Sequence, residues 1–408
     1  MKIKSKHRDE VRLYYNLGER VEIGDLLEIS EDDRSVIVQV VDIEQNTELM
    51  LSGDKGLEVL AKIRLEGFGG EFRTYREWSG WFPSSPMLIK RINASSVVSP
   101  DIAQERLFIG YEKGTKAPFF IPPTSLKTLN VIAGLDSEEL LAVLTSILYI
   151  KNNDVLVIDL TGRFHKILKL VLRSSKIKTS YFKLGKDFKI KGKDIPVDAL
   201  AKYLNFFEID ALTINLIDNI FKNIINSDKV LNSLEKIAEI ISARKDMEFL
   251  ADLISSLNEI ITWYGESFYP EDFTVIDASE CSNTSALFAI LYYLLNSGRF
   301  ILAVNGIQNL VINEKEQLAR LILARKKPVF VNIDVDSETS VYLRHAVNIF
   351  FTGPYNRILD DILPLVENEE PLIRKLSIGE FLVNGLATKN TPIILLTPQV
   401  EDALTVRG

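Results

Sequence analysis

Cysteine is nearly absent from this 408-residue chain: Cys281 stands alone, so no disulfide can close within it. Histidine is almost as scarce. With only His7, His165 and His345 beside that thiol, a zinc centre of the Cys/His kind is not expected, nor any other metal site. Long apolar runs are missing too. Ala286–Leu295 is the longest in the C-terminal half, far short of the roughly 20 residues that span a bilayer. The opening MKIKSKHRDE carries cations but no apolar stretch, so no secretory signal is expected. The expectation is a cytoplasmic protein away from membranes. What is present is an ordinary globular balance, 46% apolar and 25% charged, with chain enough for two to three domains. Low cysteine with Ile-, Lys- and Glu-rich usage leans towards a thermophilic source.

The net charge of −8 hides an uneven distribution. Between Arg163 and Lys193 lie Arg163, Lys166, Lys169, Arg173, Lys176, Lys178, Lys183, Lys186, Lys189, Lys191 and Lys193, against one acid, Asp187. That segment is +10, which leaves −18 on the rest. Lys166, Lys169 and Arg173 are spaced to share one helix face. Lys183, Lys186, Lys189, Lys191 and Lys193 follow, interleaved with Tyr181, Phe182 and Phe188. Cations with aromatics are what a nucleic-acid groove offers, so these eight basic residues are the candidate DNA contact. A solvated basic face balanced by the acidic remainder is the plainer alternative.

The chain divides by pattern. Residues 1–95 read as short strands, with Arg20–Ile29 and Ser35–Ile43 joined by the turn Ser30–Arg34, and imply a small all-β barrel. Glu66–Pro86 holds Trp78 and Trp81. Residues 96–125 are punctuated by Ser and Pro and read as a connector. From Leu126, short apolar runs alternate with helical stretches, which predicts a parallel α/β sheet over 126–399 with a tail at 400–408. Those runs are Leu129–Ala133, Asp154–Ile158, Thr274–Ile276, Phe300–Val304, Pro328–Ile333 and Asn348–Phe351. A helical insertion is expected at about 196–265, where Leu231, Leu234, Ile237, Ala238 and Ile241 recur at helical spacing.

The strand ends carry the more specific text. NVIAGLDSEEL (130–140) sits where a strand meets a helix, followed by DVLVIDLTGRF (154–164), TVIDASEC (274–281) and FILAVNGIQNL (300–310). GEFLV (379–383) and NGLA (384–387) precede a final strand, Pro392–Leu396. In this order the chain resembles the HerA-type branch of the HerA/FtsK P-loop ATPases, hexameric DNA-translocating motors with a strand-rich barrel (the HAS barrel) before a RecA-like domain. The resemblance implies a RecA-like nucleotide fold, a ring of this chain alone or mixed with an active HerA-like subunit, and DNA as partner.

The departures bear on chemistry. A P-loop needs glycines for close phosphate approach, a lysine for the β- and γ-phosphates and a hydroxyl for Mg²⁺. With Ala133 at the first glycine, followed by Gly134 and Ser137, Glu138 takes the last glycine, Glu139 the lysine and Leu140 the hydroxyl. At the acidic Walker B positions stand Asn305 and Gly306. The second element keeps Asp159 and Gly162 but reads Arg163 where a carboxylate is expected, and the polar sensor falls near Asn332. Arg320 and Arg325 stand where a trans-acting arginine finger could, with a solvated basic helix face as the plainer reading. His345 reads as a surface or packing residue, Cys281 as a core-edge thiol, and Asp334, Asp336 and Glu338 as an exposed loop.

These residues therefore mark a degenerate nucleotide site with no catalytic residue, and no cofactor is expected. The functional expectation is a pseudo-ATPase in a ring, structural or regulatory on DNA. Two alternatives remain open: an active ATP- and Mg²⁺-dependent translocase or helicase with an unorthodox site, and a protein–protein adaptor using the Trp78–Trp81 loop.

Overall fold

The computed structural model describes residues 1–16, 20–45, 56–69, 73–85, 88–98, 105–191, 261–262, 272–281, 300–310, 312–333, 340–354 and 369–406, with single helical positions at 287, 290, 291, 294, 295 and 366. The helical insertion expected at about 196–265 lies outside the described residues but for Ile261 and Thr262, and Lys193, Asp334, Asp336 and Glu338 lie outside them altogether.

Seven strands open the chain: β1 (Lys2–His7), β2 (Glu10–Asn16), β3 (Leu26–Glu31), β4 (Arg34–Gln45), β5 (Gly56–Phe68), β6 (Thr74–Glu77) and β7 (Leu88–Ile92). They pair antiparallel in the order β1-β2-β5-β4-β3-β7, with β6 also on β5. Alternation makes the sheet. Val11, Leu13 and Tyr15, then Val36, Val38 and Val40, then Val59, Ala61 and Ile63 recur every second residue and bury one face. Trp78, Trp81 and Phe82, partly buried, pack against that core. Trp78 donates its indole N–H to the Trp81 carbonyl at 2.5 Å, and the Arg34 guanidinium lies 4.2 Å above the Trp81 ring.

Then come α1 (Ala94–Val98), β8 (Leu107–Glu112), β9 (Pro118–Ile121), β10 (Leu129–Gly134) and α2 (Ser137–Ile150). Residues 96–125, expected as a connector, hold the β8–β9 hairpin. Its Phe108, Phe119 and Ile121 are buried, so the Ser and Pro around them mark the ends of strands, not a linker. Next are β11 (Val155–Asp159), α3 (Phe164–Val171), β12 (Ser180–Lys183), the short pair β13 (Ile190–Lys191) and β14 (Ile261–Thr262), β15 (Phe273–Asp277), β16 (Ile301–Asn305), α4 (Ile312–Leu323) and β17 (Val329–Ile333). The chain finishes with α5 (Ser340–His345), β18 (Asn348–Thr352), α6 (Glu370–Ile373), β19 (Glu380–Gly385), β20 (Ile393–Leu396) and α7 (Asp402–Thr405), a short turn of helix within the stretch expected as a tail.

The chain packs as two units. One combines residues 1–126, 130–147 and 335–408, and the other residues 127–129 and 148–334. In the first, β10 pairs parallel with β18, and β18-β19-β20-β8-β9 continue antiparallel. Both ends of the chain meet there: Gln39 donates its side-chain amide to the Pro392 carbonyl. Asn348 pins the same sheet, donating to the Ser125 carbonyl and the Asn130 side chain at 2.8 Å each. In the second unit, β12-β15-β11-β16-β17 are all parallel. The runs VLVID, FTVID, ILAVN and VFVNI are buried throughout, as strands covered on both faces require. Among the described residues no helix is long and apolar enough to cross a membrane.

Arg325 departs from the solvated face expected of it. Arg320 is exposed and paired with Glu316, but Arg325 is only 7% exposed and donates to the Phe300 carbonyl at 2.7 Å. Among the described residues its Nε and Nη1 have no partner, and burial pulls its pKa down to about 10. A buried cation without a counter-charge is a net cost. The substitution Arg325→Met is expected to leave the unfolding free energy unchanged or to raise it by about 1 kcal/mol, measured by urea denaturation. By contrast, Gly385 has φ +131°, and a Cβ there would strike the Val347 carbonyl oxygen. Gly385→Ala should cost about 3 kcal/mol or more in the same measurement.

Candidate functional site

Parallel strands converge their side chains at their C-terminal ends, where α/β proteins bind ligands. In the second unit, Asp159, Asp277 and Asn305 are the last residues of β11, β15 and β16 and stand side by side in register. Asp159 is fully buried, and its donors are internal. Its Oδ1 accepts from the Thr161 N–H at 3.0 Å, the Thr161 hydroxyl at 2.8 Å and the Asn305 amide at 3.0 Å. Its Oδ2 accepts from the Phe164 N–H at 2.9 Å, the first turn of α3, where the helix dipole favours a negative charge. Asn305 also donates to the Thr161 hydroxyl at 3.0 Å, and its Oδ1 accepts from Asn332 at 2.6 Å. The chain of amides thus points towards Asp159 and ends at Asn332, whose Oδ1 is buried and without a partner. Gly306, at φ +81°, leaves room for the Thr161 methyl, which a Cβ would strike.

Asp277 repeats the arrangement next door. Its Oδ1 accepts from the Ser279 N–H at 3.0 Å and hydroxyl at 2.6 Å, and its Oδ2 from the Tyr181 hydroxyl at 2.6 Å. Burial works to raise this carboxyl, but the bonds from Ser279 and Tyr181 outweigh it and hold it below its ordinary value. Burial, then the Asp277 carboxylate, push the Tyr181 phenol far above its ordinary value, so it stays a donor. His165 stacks on Tyr181 with centroids 4.1 Å apart, and burial followed by Lys169 lowers its pKa. Gly162, at φ +72°, lets the turn pass close to Ser279, 2.7 Å from where a Cβ would lie.

The basic segment divides in two. Lys183 and Lys186 hold Glu280 between them at 2.9 and 2.7 Å, which lowers that carboxyl to about 2. The aromatics expected to stack on bases are turned elsewhere: Phe188 is buried and Tyr181 is bonded to Asp277. Lys189 is exposed beside them, and Lys191 lies in β13. On α3 and just beyond it, Lys166, Lys169 and Arg173 are exposed, as is Arg163 at its start.

The strand-to-helix element of the first unit is a tight turn. β10 ends at Gly134, only Leu135 and Asp136 intervene, and α2 begins at Ser137. Gly134, at φ +118°, abuts β18, where a Cβ would collide with the Thr352 carbonyl and hydroxyl. Thr352 in turn donates to the Ala133 carbonyl at 3.2 Å. The glycine therefore serves strand packing. Ser137 is buried, Glu139 exposed and Leu135 69% exposed. Glu138 and Glu139 occupy the first turn of α2, so the helix brings its own anions to the end where phosphate would bind.

Neither element fits a magnesium-bound triphosphate. The strand-to-helix element has no lysine and carries three carboxylates, Asp136, Glu138 and Glu139, and Asn305 spends its amide on Asp159 and Thr161. Among the described residues no group of three His, Cys, Asp or Glu side chains could hold a metal ion. Sequence reasoning found Asp159 and Asn305 but missed Thr161, Asp277, Ser279 and the Tyr181–His165 stack as one network. The signal was there: Val-Ile-Asp-x-Thr/Ser occurs at 157–161 and at 275–279. Each copy closes the same turn, with the hydroxyl and N–H two residues on bonded to the aspartate.

No family model and no curated protein matches this chain. Among solved structures, VirB4 of Thermoanaerobacter pseudethanolicus aligns over 75% of this chain and 99% of its own, at 12% identity and a TM-score of 0.53. The cytoplasmic domain of the type VII secretion ATPase EccC of Thermomonospora curvata aligns over 76% and 30%, at 10% identity and TM-score 0.33. The genome-packaging NTPase B204 of Sulfolobus turreted icosahedral virus 2, solved with ATP-γS, aligns over 60% and 98%, at 10% identity and TM-score 0.27. The fold rests on the first. It is an α/β fold of the P-loop ATPase type with an N-terminal antiparallel β domain.

Two substitutions test the network with opposite pH signatures. Asn305→Asp sets a second buried carboxylate about 3 Å from the first, where both cannot ionise. Its folded-state pKa is raised, so the variant should lose about 3 kcal/mol near pH 8 and recover as the pH falls towards 4, by urea denaturation. Tyr181→Phe removes a donor that lowers Asp277. The parent's stability from this pair is present above the ordinary carboxyl pKa and is lost as pH falls through the lowered one. The variant should therefore be about 1–2 kcal/mol weaker at pH 7 and show a shallower acid loss.

Proposed function

We propose that this protein is a pseudo-ATPase: a HerA-like chain that keeps the P-loop ATPase fold without hydrolysis and acts as a ring-forming structural or regulatory component on DNA. One observation carries the reading. The polar side chains at the ends of β11 and β16 are committed to one another, with Asp159 taking four internal hydrogen bonds. An active site holds such groups ready for a metal and a water, whereas here they satisfy each other. The glutamates in the first turn of α2 support the same conclusion, because bringing a triphosphate beside them is repulsive by several kcal/mol.

The HerA branch and the hexamer rest on the ordered motifs of the sequence, and DNA as partner rests on those motifs and on the basic segment. Ring contacts are large and outlast the loss of catalysis, so a closed cyclic oligomer of this chain, or a mixed ring with an active subunit, is the proposed assembly.

The test is turnover and binding in one preparation. Purified protein should release no phosphate from ATP above a buffer blank, and equilibrium dialysis at millimolar Mg-ATP should show no saturable binding. Glu139→Lys should change neither result, because Asn305 and Arg163 remain. Magnesium-dependent hydrolysis by the unmodified protein, lost in a well-folded Asp159→Asn variant, would sink this reading in favour of an unorthodox ATPase. A monomer by light scattering at tens of micromolar would remove the ring.

A further inference from the structure

Resting on the DNA-associated reading above, the geometry points to the outward face of α3 and the loop after it as a docking strip for the phosphate backbone of duplex DNA. The lysine-and-aromatic loop of 183–193 is the weaker half of the basic segment. Four observations separate the two halves. Lys183 and Lys186 already share a counter-charge, Glu280. Tyr181 is committed to Asp277, Phe188 is buried and Phe182 is half-buried, so among the described residues the segment shows no exposed ring on which unpaired bases stack. Lys166, Lys169, Arg173, Lys176 and Lys178 are all exposed, and among the described residues none of them makes an ion pair. Last, these five cations follow one another with no acid between them. Lys166 and Lys169 lie three apart on α3, at a rise of about 4.5 Å, and Arg173, Lys176 and Lys178 follow in the chain that leaves the helix. Leu170, 71% exposed, lies in their midst.

A run of exposed cations without an intervening acid suits a polyanion better than a discrete phosphate, which needs a converging cluster. Without a stacking platform or amide and carboxamide side chains on that strip, nothing reads bases. Binding is therefore through phosphates alone, indifferent to sequence and steeply dependent on salt. His165 ties the strip to the interior: it leaves the same helix to stack on Tyr181, so α3 is held in place by the network that Asp159 and Asp277 organise.

The experiment is fluorescence anisotropy of a labelled mixed-sequence duplex and of a matching oligo-dT strand, titrated between about 50 and 200 mM salt. The full chain should bind the duplex at least as tightly as the single strand. The triple variant Lys166→Gln, Lys169→Gln, Arg173→Gln should flatten the slope of log K against log salt by about 2.7, at 0.9 per phosphate contact. Lys183→Gln with Lys186→Gln should leave that slope within about 0.5 of the parent. Circular dichroism on each variant checks that the helix persists, and for a variant that has lost it, single Lys→Gln changes at 166 and 169 take its place, each expected to lower the slope by about 0.9. If the parent binds duplex but only the 183/186 variant weakens it, the strip is wrong and the DNA role stands. A preference for oligo-dT, or binding to anionic phospholipid vesicles with none to DNA, overturns the strip as a duplex site. If the parent binds no nucleic acid at about 50 mM salt, the DNA role itself falls.

Discussion

A carboxylate sealed away from water has to be answered by donors, and at Asp159 the sequence answers it four times over. The rest of the second unit is arranged around that requirement. Thr161 turns the chain so that its own N–H and hydroxyl reach back. The start of α3 is aimed at the charge, and Asn305 adds an amide donor from the neighbouring strand. A neutral amide is the only residue of that shape able to donate to one carboxylate and accept from Asn332 at the same time. Asparagine here is a structural solution in its own right.

The adjacent strand solves the same problem by the same turn and a different third donor. Asp277 uses Ser279 as Asp159 uses Thr161, but where Asp159 draws on Asn305 from one side, Asp277 draws on Tyr181 from the other. The two carboxylates are neighbours in register, and each takes its one cross-strand donor from its outer flank. Their hydrogen bonds are thus partitioned, with Asn305 serving one carboxylate and Tyr181 the other.

Much of this was legible before any coordinates. The apolar runs ending in Asp159, Asp277, Asn305 and Asn332 mark strands to within a residue or two, because strands buried on both faces are written as unbroken hydrophobic text. Three things were not. Tyr181 and Phe188 beside lysines look like a binding surface, and only tertiary packing reveals them turned inwards. Arg325 looks like one more cation on a helix, since sequence carries no sign of how deep a helix end is set. Residues 107–121 look like a connector, because a hairpin with Pro at its edge and Gly within it shares its composition with loops.

The bond between Gln39 and Pro392 joins residues 353 apart in sequence. A ribosome adding about 5–20 residues per second would take on the order of 20–70 s to deliver the second partner after the first. For that interval the Gln39 side chain, buried in the finished molecule, stands without its Pro392 acceptor, and Gly24 without the Ile394 side chain that packs on it. The N-terminal sheet is thus made early and completed last. A chain cut short by its final strand would lack both contacts permanently.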